Sequence, residues 1–352
     1  MADGAIDSGE EAGRLDRLDG LRGLAAAVVA FIYHGQPFFD PAHALAGPRL
    51  LVWFQTWGWA FVDLFFVISG YIFAHVYLRG QGLQKSGLAD FAVARIARLY
   101  PLHLATLLLC ALLFTSNPAN TWYAFLAHLV MAQAFVPPVA LTFDGPSWSL
   151  SIEVVCYILF AIGAAGGKRS LRIVSVAAIA YAVLHLGLLG RSGGPWVGDQ
   201  LPRGLLGFFI GQALWHGQAR LARVPAWMLA IALALGTTVS VGTLSPLLPL
   251  GLIAWPAALL LALRVPAMGS VPLRWLGDRS YSIYLIHGVV YMLAGAVLPK
   301  GTGGWGLTLA LYAAILLASD LSFRLFETPA RVAIRALWAR RRKPLPIPAK
   351  LR

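Results

Sequence analysis

Long apolar stretches separated by short polar ones set the pattern of this chain. Runs with few charges fall near residues 23–40, 58–78, 99–115, 121–136, 147–165, 171–189, 203–217, 224–241, 246–263, 281–298 and 305–325. Many reach about 18 residues, the length an α-helix needs to cross roughly 30 Å of hydrocarbon. They do not alternate with period two, which argues against a β-barrel. The pattern predicts an all-α, polytopic integral membrane protein.

Composition sharpens that reading. Hydrophobic residues make up 59% of the 352 and charged residues 12%, where a soluble domain carries roughly a quarter charged. A soluble protein this apolar would lack the polar surface to cover its core, whereas a bilayer removes the problem. The net charge of +13 would suggest nucleic acid on a soluble protein. Here the basic residues sit in short loops between apolar runs, so they read as a topology signal and no nucleic-acid partner is expected.

Positive charge inside then decides the crossings. Arg14, Arg17 and Arg22 place the N-terminus inside; Arg79, Lys85, Arg95 and Arg98 are inside again two crossings later. Lys168, Arg169 and Arg172 demand another inside loop, so only one crossing fits between 116 and 168. The 147–165 run takes it. The 121–136 run carries His128 and Gln133 and stops at Pro137-Pro138; it is assigned to a re-entrant or surface helix on the outer side. Arg220, Arg223, Arg264, Arg274, Arg279 and the tail from Arg331 fall inside, leaving only Arg49, Arg191, Arg203 and Lys300 of 28 Lys and Arg outside. The expectation is about ten transmembrane helices with both termini cytoplasmic, a disordered tail over 1–13, a membrane domain over 14–338 and a basic cytoplasmic tail over 339–352. Arg340-Arg341-Arg342-Lys343 either touches anionic lipid or simply anchors the topology. The first apolar run lacks a small-residue cleavage site and reads as a retained helix. Cys110 and Cys156 lie in apolar segments with no disulfide framework or zinc spacing, and no metal is expected.

Ionisable groups inside a membrane are expensive and mark candidate chemistry. His34 follows Arg22 by about 18 Å of helix axis, past the midplane. It is either a general base for a hydroxyl nucleophile or a histidine bonded to a nearby carbonyl. Asp63, in Phe61-Val-Asp-Leu-Phe-Phe-Val-Ile-Ser-Gly-Tyr71, either orients His34 or tethers the bundle. Arg95 and Arg98 share one helix face and fit phosphate, or anchor the inner side. Glu153, about 8 Å below Trp148 along its helix, either binds sugar hydroxyls or steers a proton, or it bonds a neighbouring helix. Tyr281, Tyr284 and His287 recur every three residues as a polar stripe that either lines a donor channel or packs in the bundle. Glu327-Thr-Pro329 is expected to end the last helix, with Glu327 paired to a cytoplasmic arginine.

In order along the chain these segments resemble acyltransferase family 3, membrane proteins that O-acylate bacterial carbohydrates and some small molecules. The resemblance rests on Leu18-Asp-Gly-Leu-Arg-Gly-Leu-Ala25 with His34, Val62-Asp-Leu-Phe-Phe-Val-Ile-Ser-Gly70, Arg95-Ile-Ala-Arg-Leu-Tyr-Pro101, Trp148-Ser-Leu-Ser-Ile-Glu153, Tyr281-Ser-Ile-Tyr-Leu-Ile-His287 and Glu327-Thr-Pro329, and spans residues 14–335. It implies an arginine and histidine pair on the first helix, matching Arg22 and His34, and an arginine pair before a proline, matching Arg95 and Arg98. The family places ten residues between that first arginine and histidine; this chain has eleven. Eleven steps of about 100° return to nearly the same helix face, and twelve miss it by about 120°. Either Arg22 precedes regular helix or a π-bulge absorbs the extra residue.

What the resemblance implies is a multi-pass protein of the bacterial inner membrane. It moves an acyl group, acetyl first among the candidates, from acyl-CoA onto a carbohydrate hydroxyl. His34, Asp63 and Glu153 would be the catalytic set. Arg22, Arg95, Arg98, Tyr281, Tyr284 and His287 would hold the donor, and His34 would act as base or carry the acyl group. The alternative from another class is a transporter or flippase for a lipid-linked sugar, against which the absence of a visible internal repeat counts.

Overall fold

Inside a bilayer each backbone N–H and C=O must be bonded within its own segment, and helices supply the answer throughout this chain. The computed structural model describes residues 2–39, 47–79, 82–190, 197–299 and 301–342, and no strand occurs among them. Side chains are described from Leu15 to Arg341 within those ranges, apart from Phe39 and Val197. Arg191, Lys300 and the tail from Lys343 lie outside the described residues, as do the side chains of residues 1–14.

The principal helices are α1 (Ala2–Ala27), α2 (Arg49–Trp57), α3 (Phe61–Tyr77), α4 (Leu88–Leu113), α5 (Trp122–Leu129), α6 (Trp148–Ala165), α7 (Gly167–Leu188), α8 (Gln200–Leu221), α9 (Ala226–Thr238), α10 (Trp255–Ala262), α11 (Val271–Asp278), α12 (Ser280–Val297), α13 (Trp305–Ser322) and α14 (Thr328–Arg342). Six continuous helical stretches among them are long and apolar enough to cross a membrane: 49–77, 85–113, 145–165, 167–188, 280–297 and 305–341. Two shorter apolar helices cover 226–238 and 247–262. Their outward faces carry Leu112, Ile173, Leu184, Trp227 and Leu317, all exposed, as suits a lipid boundary.

Close packing centres on α3 and α8. A Cβ at Gly70 would stand 1.8 Å from the carbonyl oxygen of Phe208, and one at Gly211 would stand 2.0 Å from that of Val67. Small residues at helix crossings let two backbones approach this closely. Beside that contact Phe73 stacks on Tyr157 with ring centroids 4.4 Å apart and meets Phe91, Phe160 and Phe208 edge-on.

The run at 121–136 does not form a crossing helix. Thr121 caps α5, its Oγ1 accepting from Ala124 N at 3.1 Å, and the helix lasts eight residues. It dips back along α4 until Tyr100 Oη donates to Leu129 O at 3.1 Å. The chain returns through 3₁₀ turns, and Phe143 N donates to Asn120 Oδ1 at 2.9 Å where the excursion began. The segment is thus a short helix and return rather than a crossing, as expected.

One expectation is corrected. The last helix does not stop at Glu327-Thr-Pro329, because α13 runs through a π-turn at Phe323–Glu327 into α14. Thr328 N bonds Phe323 O, five residues back. Pro329, lacking an N–H, follows directly on that widened turn, where the regular bonding ladder is already shifted.

Basic side chains tie the helix ends together at one end of the bundle. Arg17 Nη1 donates to Leu263 O at 2.6 Å, Arg264 Nη2 to Leu221 O at 2.7 Å, and Arg274 Nη1 to Asp16 Oδ2 at 2.9 Å. Arg279 Nε reaches Asp320 Oδ1 at 2.5 Å and Trp338 Nε1 reaches Asp90 Oδ1 at 2.7 Å. At the opposite end Phe38 O accepts from Gly304 N and Trp53 Nε1 donates to Thr237 O.

Candidate active site

His34 stands where the first helix ends. After Ala27 the backbone widens into a π-turn over Val28–Tyr33, and His34 N bonds Val29 O, five residues back, at 3.0 Å. The extra residue between Arg22 and His34 is absorbed there, so the two return to nearly one face. A widened turn at a helix end leaves carbonyls short of partners. Two tyrosines supply them: Tyr291 Oη, from α12, donates to Ala30 O at 2.9 Å, and Tyr312 Oη, from α13, donates to Phe31 O.

The His34 ring is held by a second imidazole. His34 Nδ1 lies 3.0 Å from Nε2 of His287, a fully buried residue of α12. His287 Nδ1 lies 3.0 Å from the carbonyl oxygen of Ile283. A carbonyl only accepts, so His287 carries its proton on Nδ1 and its Nε2 is a lone pair. His34 Nδ1–H therefore donates to that lone pair, which leaves the free lone pair of His34 on Nε2. The bond chain sets the tautomer a general base needs.

His34 borders a cavity of about 280 Å³ whose other walls include Tyr33, Trp59, Pro146, Trp148, Arg203 and Tyr284. Arg203, at the start of α8, is 3% exposed and gives its Nε to Asp63 Oδ1 at 2.9 Å. Its guanidinium carbon sits 4.6 Å from the Trp59 ring and 5.0 Å from the Trp148 ring. Asp63 thus pairs with Arg203, and no hydrogen bond joins it to His34 among the described residues. Residue spacing does not show which helix face Asp63 occupies, and so could not name Arg203 as its partner. The partner of His34 is His287, which was expected among donor-binding residues.

A second cavity, of about 150 Å³, opens among the arginines. It is lined by Arg22, Arg95, Arg98, Glu153, Tyr281 and Tyr284, with Phe and Leu side chains between them. Arg22 donates Nε to Ser280 Oγ at 3.0 Å and pairs with Asp19 at 2.7 Å. Arg98 is bonded to Glu327, which also accepts from Ser282 Oγ at 2.8 Å. Arg95 lies over the rings of Phe73, Tyr77 and Tyr157 at 4.9, 5.6 and 5.8 Å, and its Nε has no hydrogen-bond partner among the described residues. Glu153 accepts from Tyr157 Oη and Ser69 Oγ, so it belongs to this arginine cleft and not to the His34 cavity. Tyr281 Oη donates to Leu99 O at 2.5 Å and Tyr284 Oη to Pro146 O at 2.8 Å. Val62 and Tyr284 line both cavities, which therefore meet back to back across these two side chains.

Two contributors escaped the sequence reading. Arg203 was counted as a stray outside charge, although a buried arginine ahead of Gly204, Gly207 and Gly211 is the signal of a residue held at a tight helix crossing. Asp144 lies in the loop before α6, 1% exposed, and burial pushes its carboxyl up to about 8. It packs where α12 lacks a side chain: a Cβ at Gly288 would stand 2.9 Å from Asp144 Oδ1. No group of histidines, cysteines and carboxylates arranged to hold a metal occurs among the described residues.

A helical bundle with six stretches long and apolar enough to cross a bilayer, and ionisable side chains gathered around internal cavities, has the architecture of a multi-pass membrane protein with an internal site. The chain belongs to acyltransferase family 3, whose acyltransferase domain matches residues 15–324. It is similar to the acyltransferase MdmB of Streptomyces mycarofaciens, 29% identical across 90% of this chain and 91% of that protein. It is also similar to the putative peptidoglycan O-acetyltransferase YrhL of Bacillus subtilis, 27% identical across 84% of this chain and 55% of that protein. The peptidoglycan O-acetyltransferase OatA of Listeria monocytogenes is 25% identical across 84% and 56%. No solved structure matches the chain. The protein is an O-acyltransferase that transfers groups other than aminoacyl groups.

Proposed function

We propose that the enzyme takes an acyl group from acyl-CoA at the basic end of the bundle and passes it to a carbohydrate hydroxyl in the His34 cavity. Ten helical passes alternate between the two ends, with both termini on the cytoplasmic side of the bacterial inner membrane. Phosphates of the donor meet Arg22, Arg95 and Arg98, whose forks suit them. The thioester arm passes between Val62 and Tyr284. His34 Nε2 takes the proton of the acceptor hydroxyl as its oxygen attacks the thioester carbonyl carbon. The C–S bond then breaks, and the departing thiolate is protonated by the imidazolium. His287 holds the ring in the productive tautomer throughout. Asp63 and Glu153 support the two cavities, Asp63 through Arg203 and Glu153 beside the donor.

One observation carries this reading: the carbonyl, His287 and His34 chain ends on a free lone pair in a cavity that backs onto an arginine-lined cleft. The peptidoglycan named for two relatives supports a carbohydrate acceptor, and acetyl is the acyl group named for them. The test is transfer of label from acetyl-CoA to cell-wall glycan in membranes carrying wild type or His34→Ala. The variant is expected to lose on the order of 10² to 10⁴ in rate. Full activity without the imidazole overturns the role.

A further inference from the structure

We propose that Arg203, Trp59 and Trp148 form the acceptor subsite, taking a neutral pyranose residue that presents a hydroxyl to His34. The proposal rests on the acyl-transfer reading only for the fate of the sugar, not for its binding.

Arg203 is a costly residue to bury, and it is not fully used by the protein. Asp63 accepts from Nε at 2.9 Å, while Nη2 is buried with no hydrogen-bond partner among the described residues. A buried polar group left unsatisfied calls for an explanation, and a guest in the adjoining cavity provides one. The two indoles, at 4.6 and 5.0 Å, clamp the guanidinium so that its free edge holds one direction. Such a donor is preorganised and loses little freedom when an oxygen arrives.

The chemistry of the guest follows from charge and surface. Asp63 offsets the charge of Arg203, so the pair is electrically neutral and offers an N–H without the pull of a bare cation. That favours a hydroxyl or amide oxygen over a free phosphate or carboxylate. Trp59, Trp148, Tyr33 and Tyr284 border the cavity with their rings, and Val29, Val62, Leu141 and Pro146 complete its apolar wall. Flat aromatic walls suit the C–H face of a sugar ring, and the polar groups around the rim suit its hydroxyls. At about 280 Å³ the cavity lies at the small end of ligand sites, which fits one sugar unit of a longer acceptor.

The experiment is saturation-transfer NMR on the full chain in lipid nanodiscs, with methyl glucoside, N-acetylglucosamine and chitobiose as probes. Wild type and His34→Ala are expected to transfer saturation to ring C–H protons of at least one probe. Arg203→Lys, which keeps a charge for Asp63 and loses the fork, is expected to weaken that signal at least fivefold. Trp148→Phe serves as a second, milder variant expected to weaken it in the same direction. The KM for acetyl-CoA, expected to hold in both variants, reports that the fold is intact. No signal from wild type, or an undiminished signal from Arg203→Lys, overturns the subsite. Arg203-dependent sugar binding without acetyl transfer would reject the acyl-transfer reading and leave the subsite standing. Acetyl transfer with an unchanged acceptor KM in Arg203→Lys would do the reverse.

Discussion

A hydrogen atom's position on one imidazole depends here on a carbonyl two bonds away. Ile283 O fixes His287, and His287 fixes His34. Removing the middle member should therefore act on turnover more than on binding. His287→Ala is expected to lower kcat by on the order of 10² with donor KM held. His287→Gln restores an oxygen acceptor for His34 Nδ1–H and is expected to recover much of the loss, whereas His287→Lys, which only donates, is not. Steady-state kinetics on the three variants check this; equal damage from Ala and Gln would mean that His287 only fills space. At this scale the sequence named His34, Arg22, Arg95, Arg98 and Tyr284 at the cavities because charged or polar groups are conspicuous in apolar runs. Of the two readings open for Asp63, its bond to Arg203 matches the tether, while His287 was not anticipated as the partner of His34. Depth along a helix can be counted from residue number, but which two helices face each other depends on packing that one chain's pattern does not display.

Among the elements, the first helix shows what a single surplus residue does. A strict α-helix would carry His34 about 120° away from the face of Arg22; the π-turn at Val28–Tyr33 prevents that. Deleting Val28 is expected to return the segment to ordinary α-helix and leave transfer activity near wild type. Inserting an alanine after Val28 adds about 100° of rotation that no further bulge relieves, and transfer is expected to vanish. Parallel assays of both variants, with expression verified, decide the matter; an active insertion mutant would show that the register is not important. The bulge was one of two alternatives open from the spacing, since residue count alone cannot say where a helix begins. The final helix was harder to read. Pro329 signals a stop, and only the preceding π-turn, with Glu327 bonded to Arg98 and Ser282, explains why the helix continues.

For the molecule as a whole, the alternation of basic loops was the most readable feature. The side chains of Arg17, Arg264, Arg274 and Arg279 meet partners from distant helices at one end. Length and hydropathy alone find six spans among the described residues; the ten passes proposed add the first helix, α8, α9 and the broken 247–262 segment, which are short or carry polar residues. The proposed ten passes are open to labelling. Cys110 and Cys156 are buried, so the native chain offers a quiet background for an impermeant maleimide. Ser116→Cys is expected to react in intact cells and Arg223→Cys only after the membrane is opened. The reverse pattern would invert the topology.

Val62 and Tyr284 are walls common to both chambers, and that has a physiological price and benefit. In the proposed reaction, a septum so thin would let a two-carbon fragment be handed over while each bulky reactant stays in its own chamber. Neither the proposed nucleotide donor nor the proposed glycan acceptor would then need a hole its own size. Such a transfer would be a chemical doorway without an osmotic leak.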